Sequence, residues 1–414
     1  MIFTRVHSRL RGHKAVPIGC NLLLAGMLIA ATDSPIHASD NGSLPPALTP
    51  VTPAETGLDP HAGLIYGATS CASSGCHGGA AEQHYQHAIW SRRDPHSRAY
   101  ATLTTARSAR MAEALGIANP ATDTSCTTCH APTQAAASVQ PALLGPDARA
   151  AEGVSCVSCH GPSGEWLRGH TRADMTHAQK VAGGLRDLHD LHARANACVA
   201  CHQNIAPELI SVGRHPRLIF ELDGQTAAQP RHWTESPDNT PAQAWLVGQA
   251  VALREISHAL RTGNADPSAD APRWSALHWL LRQTDATTNA SPRFADIPAH
   301  PDAASYASAV IISDQIARDT ARRFDTTRAA GLLARLAATH NDFADVSVTA
   351  LEHALRAERL VLALDRLIHT DPAARQNPAA EAALDALFGL AQSIPDFNPD
   401  AFARQLDRFA RTLP

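Results

Sequence analysis

From residue 241 onward, apolar residues recur at helical spacing. Thr240 followed by Pro241 predicts a helix start, because Thr caps a helix and Pro suits its first turn. Trp245, Ala252, Ile256, Ala259 and Leu260 then fall on one face, with Gln249 as the single polar interruption. Val348, Leu351, Leu355 and Leu362 make another stripe, in a helix expected to end before Asp371-Pro372. Asn377-Pro378 opens a helix with Leu384, Leu387 and Ala391 on one side, and Asn398-Pro399 opens a last one carrying Phe402, Leu406 and Phe409. Residues 241–414 therefore predict an Ala-rich helical domain of roughly six or seven helices.

Upstream the pattern changes. Residues 39–66 are rich in Pro, Ser, Thr and Gly and predict a flexible leader. Residues 211–240 read as a connector, with Gly213-Arg214-His215-Pro216-Arg217-Leu218 followed by Pro230 and Pro237. Between them lie residues 67–210, and no segment shows a strong strand pattern.

The 67–210 stretch instead carries a repeated chemical motif. It reads Cys71-Ala-Ser-Ser-Gly-Cys76-His77, Cys126-Thr-Thr-Cys129-His130, Cys156-Val-Ser-Cys159-His160 and Cys198-Val-Ala-Cys201-His202. Two thiols that bond the vinyl groups of a haem, followed at once by a His that ligates its iron, are the attachment site of c-type haem. Paired thiols also suit a structural zinc site or disulfides, but neither requires a His after every pair. With 23 His in 414 residues, chance placement after all four pairs has odds of roughly one in a hundred thousand. Four motifs predict four covalent haems, with His77, His130, His160 and His202 as proximal ligands. The first motif holds four residues between its thiols, and the small, turn-prone Ser73, Ser74 and Gly75 let the extra length loop out.

Four haems in this stretch leave roughly 35 residues for each, too few for an ordinary apolar core. The haems themselves must form most of it. The expected fold is mainly α: short helices and loops wrapped around four haems in a 67–210 cytochrome domain, followed by the C-terminal helical domain.

The N-terminus carries Arg5, Arg9, Arg11 and Lys14, then an apolar stretch from Ala15 to Ala31, then small residues with cleavage expected after Ala31 or Ala38. That order is a secretory signal peptide over residues 1–38. A transmembrane anchor is the competing reading, but the run is short for a bilayer and is interrupted by Pro17 and Asn21. Cys20, the one cysteine outside the motifs, is expected to leave with the signal. Export to the periplasm agrees with haem attachment, which takes place outside the bacterial cytoplasmic membrane.

Segment 1–38 has a net charge of +3, from four basic residues and Asp33, and the whole chain has −4, so the exported chain is near −7. It has no basic stripe, which argues against nucleic acid. An acidic carrier favours redox partners with a basic docking face.

The sixth position of each iron decides what it can do. A second His closes the haem for electron transfer, and an open position admits a small molecule. Nineteen His lie outside the motifs, with His84, His87, His96, His170, His177, His189 and His192 near them. Trp90 and Trp166 also lie near the motifs, where core packing competes with porphyrin stacking.

Two stretches carry a family resemblance. Gly153-Val-Ser-Cys-Val-Ser-Cys-His-Gly-Pro162 with Gly169-His170, and Trp90 with Asp94-Pro95-His96-Ser-Arg-Ala, resemble the tetrahaem cytochrome c-554 family. A His shortly before the fourth motif, His192 or His189, is similar too. The resemblance implies His96, His170 and His192 as distal ligands: His170 to the first haem, His96 to the third and His192 to the fourth. It implies an open second haem on His130. Pro207-Glu-Leu-Ile-Ser-Val-Gly-Arg-His-Pro-Arg-Leu-Ile-Phe220 is similar to a stretch in larger bacterial multihaem cytochromes, which makes His215 a candidate to close that second haem. In those proteins a further motif follows; here Arg273-Trp-Ser-Ala-Leu-His278-Trp has no cysteine.

The first expectation is therefore an electron carrier between periplasmic redox partners, not an enzyme. A multihaem oxidoreductase acting on a small nitrogen or sulfur species at the His130 haem is the alternative. A subunit of a membrane respiratory or extracellular electron-transfer complex, with the C-terminal helices as its interaction module, is a third.

Overall fold

The computed structural model describes residues 63–414, apart from 83, 140, 286–291, 327–330 and 394–395. The expected signal peptide, its expected cleavage positions, Cys20 and nearly all of the expected leader lie outside the described residues. Among those described, eighteen α-helices and several 3-10 turns carry the fold, and one isolated bridge, Ile65 to Leu144, is the only β pairing. The chain is mainly α, as expected.

The C-terminal half is built on six long helices: Pro241–Thr262, Pro267–Arg282, Ala303–Arg322, Ala350–Ile368, Pro378–Ala391 and Pro399–Ala410. Two short ones, Leu332–Ala337 and Pro372–Arg375, sit between them. Three of the starts, at Pro241, Pro378 and Pro399, are those the sequence predicts. The Thr240 hydroxyl accepts from Gln243 N, and the Asn377 and Asn398 side chains accept from Ala379 N and Ala401 N at 3.0 and 2.9 Å. Each cap satisfies a donor that the first helical turn leaves free. Gly263, at φ +75°, closes the longest helix in the left-handed conformation that glycine adopts without strain.

Trp245 and Ala252 are fully buried on that helix, and Ile256 and Ala259 nearly so. Gln249 is also fully buried. Its Nε2 donates to Glu221 Oε1 at 2.8 Å, which explains how a polar group interrupts the stripe without being orphaned. The 350–368 stripe differs from its prediction. Val348 precedes the cap Thr349, and Leu351 is half exposed. The buried face instead runs through Ala354, Leu355, Leu360, Val361, Leu364 and Leu367. The helix ends at Ile368, before Asp371-Pro372.

One large apolar core joins these helices, and Leu191, Ala195 and Val199 from the fourth-motif helix belong to it. The other core cluster is small, with Ile65 and Val157 at its centre. The connector is less loose than its prolines suggest, because Leu222–Ala228 is helical and packs on Pro241–Thr262. No described helix is long and apolar enough to cross a membrane.

Candidate haem-binding site

Three of the four motifs are helical, and in each the His is the last helical residue: Thr124–His130, Cys156–His160 and Leu191–His202. Helical spacing of i, i+3 and i+4 puts both thiols and the imidazole on one face, where a single flat group can meet all three. The first motif reaches a similar end differently. Cys71 closes a 3-10 turn, the next residues loop out, and His77 N returns to Cys71 O at 3.1 Å. Gly78 makes that return possible, since a Cβ there would stand 1.8 Å from Ala72 O. Asp147 fixes the start of the turn by accepting from Gly67 N, Thr69 Oγ1 and Ser70.

A second imidazole faces three of the motif histidines. His170 lies 6.2 Å from His77, His215 lies 6.4 Å from His130, and His96 lies 6.0 Å from His202, measured between ring centroids. Two imidazoles bonded to opposite sides of one metal at about 2.0–2.1 Å each have centroids roughly 6 Å apart. The remaining motif histidine, His160, is buried and lies near enough to His232, His77 and His170 for each to lower its pKa, His232 the most of the three.

The hydrogen bonds orient these rings. Nδ1 of His170 donates to Leu167 O at 2.6 Å, that of His215 to Pro216 O at 2.8 Å and that of His232 to Pro230 O at 3.3 Å. His96 Nδ1 meets Asp94 Oδ1 at 2.9 Å, His77 Nδ1 meets Gln86 Oε1 at 3.1 Å and His130 Nδ1 meets Thr102 Oγ1 at 2.9 Å. With Nδ1 carrying the proton, Nε2 keeps its lone pair for a metal. Burial, and then the neighbouring histidines, push His160 down to about 4; burial and then His96 do the same for His202, also to about 4. Burial lowers His130 as well. Neutral imidazole is the form that ligates. Burial works to raise Asp94, but bonds from His96 and Gln229 outweigh it and hold the carboxyl at about 2.

Thiols of different motifs lie near one another: Cys71 and Cys156 shift each other's ionisation, as do Cys129 and Cys201. The first motif therefore adjoins the third, and the second adjoins the fourth. All eight thiols are free. Burial raises Cys198 to about 12. Among the described residues no three or more His, Cys, Asp or Glu side chains converge as a metal cage, so the paired thiols do not assemble a tetrahedral zinc site.

The residues fit haem. Beside the facing imidazoles, five buried donors in one stretch lack partners: Thr133 Oγ1, Ser155 Oγ, Ser158 Oγ, Ser163 Oγ and Trp166 Nε1. Buried polar groups are normally paired, and a porphyrin edge with carboxylates supplies acceptors. Cys71, Cys76, Cys126, Cys129, Cys156, Cys159, Cys198 and Cys201 would hold the groups covalently. Haem iron supplies a reversible one-electron change. Gly153, at φ +67°, lets the chain entering the third motif pass His96, since a Cβ would lie 2.6 Å from His96 O. Trp90 braces the same place by donating to Val154 O at 3.0 Å. Trp166 packs edge-on against His170, with centroids 5.3 Å apart.

The pairings differ from those the family resemblance implies. His96 faces His202 and not His160. His192 is engaged elsewhere: its Nε2 bonds to Asp314 Oδ1 at 3.0 Å in a buried network with Arg254. That bond occupies one of the two nitrogens through which an imidazole binds metal, and Asn196 Nδ2 stands 3.3 Å from the other. His189 stands beside His177, 5.6 Å between centroids. His278 Nε2 is bonded to Phe294 O at 3.0 Å, a structural role in the stretch without cysteines. His232 was not anticipated, and its only local signal is a His between Pro230 and Trp233 in a segment read as connector.

Residues 70–161, about a fifth of the chain, match the family described as Cytochrome c554 and c-prime. The match spans the first three motifs and supports a c-type cytochrome, with covalent haem and a role in electron transfer. No curated protein and no solved structure matches the chain.

Proposed function

We propose that the chain is an exported tetrahaem c-type cytochrome that passes electrons between periplasmic redox partners. The observation that carries this reading is the pairing of motif histidines with second imidazoles whose Nδ1 atoms are already bonded. We assign His77 with His170, His130 with His215, His160 with His232, and His202 with His96. Four closed irons suit electron transfer, since none offers a position to a substrate. His215 opposite His130 counts against the oxidoreductase alternative, which needs that iron open. The nearness of the thiols of the first and third motifs, and of the second and fourth, supports haems close enough to exchange electrons.

A chain made in a host with haem-ligation machinery tests this. Haem content by the pyridine haemochrome assay is expected at four per chain, and reduction by a small donor should be followed by rapid reoxidation with a basic acceptor cytochrome. Two haems or fewer, or no exchange with any acceptor protein, would overturn it.

A further inference from the structure

A cavity of about 30 Å³ lies between the residues that follow the fourth motif and the C-terminal helices. A cavity of that size has room for about two waters or one small anion. Arg217, Arg273 and Arg359 all line it. Arg217 is paired with Asp270 at 2.7 Å. Arg359 is only 4% exposed, and its hydrogen bond to Gln249 Oε1 is long, at 3.4 Å.

Two of the three guanidiniums are not ion-paired. Arg217 has Asp270, with Asp266 also near, whereas no carboxylate among the described residues lies within ion-pair distance of Arg273 or Arg359. Their acidic neighbours, Glu358, Asp270 and Glu221, act from farther away. Burial, with Asp223 nearby, raises Glu221 and weakens it as a counter-charge. Burial lowers the pKa of both Arg273 and Arg359, as it does for cations with less counter-charge than their burial demands. A buried, under-compensated guanidinium is costly, and guanidinium forks match oxyanions bidentately.

We propose that this cavity binds a free oxyanion of the phosphate or sulfate class, held by Arg273 and Arg359 with Arg217 beside them. A haem propionate offers similar chemistry, and the cavity begins at Gln203, directly after the fourth motif. The test therefore uses the haem-loaded full chain, whose propionates are already in place.

The experiment is calorimetric titration with inorganic phosphate, and separately with sulfate, at constant ionic strength. One saturable site per chain is expected. Arg273→Gln should weaken it at least tenfold, while Arg411→Gln, at an exposed residue just after the last helix, should leave it unchanged. Asp270→Asn removes negative charge from the cavity and should tighten binding severalfold, an effect of opposite sign that misfolding cannot imitate. No saturable binding in the unaltered protein, equal affinity in Arg273→Gln, or unchanged or weaker binding in Asp270→Asn would each overturn the proposal.

Discussion

The imidazoles of His77 and His170 lie almost parallel, 16° apart, whereas those of His130 and His215 meet at 70°. His77 comes from the looped first motif and His170 from a 3-10 turn 93 residues later, held by its bond to Leu167 O. Ring orientation differs between sites while the spacing stays near 6 Å, as expected if what is shared is a common metal and not a common packing motif.

Removing a second imidazole should open one iron and leave the rest. His215→Ala is expected to convert one low-spin ferric haem per chain to high-spin, read by electron paramagnetic resonance. His192→Ala should leave the spectrum as it was. A high-spin signal in His192→Ala, or none in His215→Ala, would reverse the assignment of the two residues.

His192 matters for stability instead. Asp314 accepts from His192, from Arg254 at 2.6 Å and from Arg318 at 2.7 Å, tying the fourth-motif helix to the C-terminal helices. Asp314→Asn weakens a buried pair and leaves Arg254 with Glu255 as its one charged partner, beside Asn196. The expected loss is on the order of 3 kcal/mol in a denaturant titration, with haem content unchanged.

Much of this arrangement was legible in the sequence, and the rest was not, for physical reasons. The motifs and helix caps are local: spacing of i, i+3 and i+4 and an Asn or Thr before Pro act within one turn. Val348 misled because a stripe on a helical wheel does not show that the helix begins at Ala350, after the cap Thr349. The second imidazoles are non-local. Nothing in the residues around His232 distinguishes a ligand from a loop histidine, and His192 has the right position in sequence but its ring is claimed by Asp314, 122 residues away.

Buried acids should give the protein a pH-dependent stability. The folded-state pKa of Glu221 is raised from 4.5 to about 8 by burial first and then by Asp223, and that of Asp223 from 3.8 to about 6, again by burial first. Between these limits the unfolded chain releases protons that the folded chain retains. Their contribution to stability is therefore full below about pH 4 and falls as pH rises toward 8, by at most about 1.4 kcal/mol per pH unit for each group. The difference in unfolding free energy between the unaltered protein and Glu221→Gln isolates the Glu221 part and should change in that direction as pH rises through this range. A stability that rises between pH 5 and 8 by a slope that Glu221→Gln abolishes would contradict the assignment.

The looped first motif depends on Gly78. Any side chain there meets the backbone carbonyl of Ala72, so Gly78→Ala should displace His77. Haem content is expected to fall from four to three per chain, with the other sites loaded. Full loading with an unchanged spectrum would show that the loop tolerates a Cβ.

The most direct test of closed irons is a carbon monoxide difference spectrum of the dithionite-reduced, haem-loaded protein. Four bis-His haems predict no shift of the Soret band. A clear shift equivalent to one haem per chain would mean that an iron is open, would return the His130 site to candidacy for small-molecule chemistry, and would contradict the electron-carrier account in its central claim.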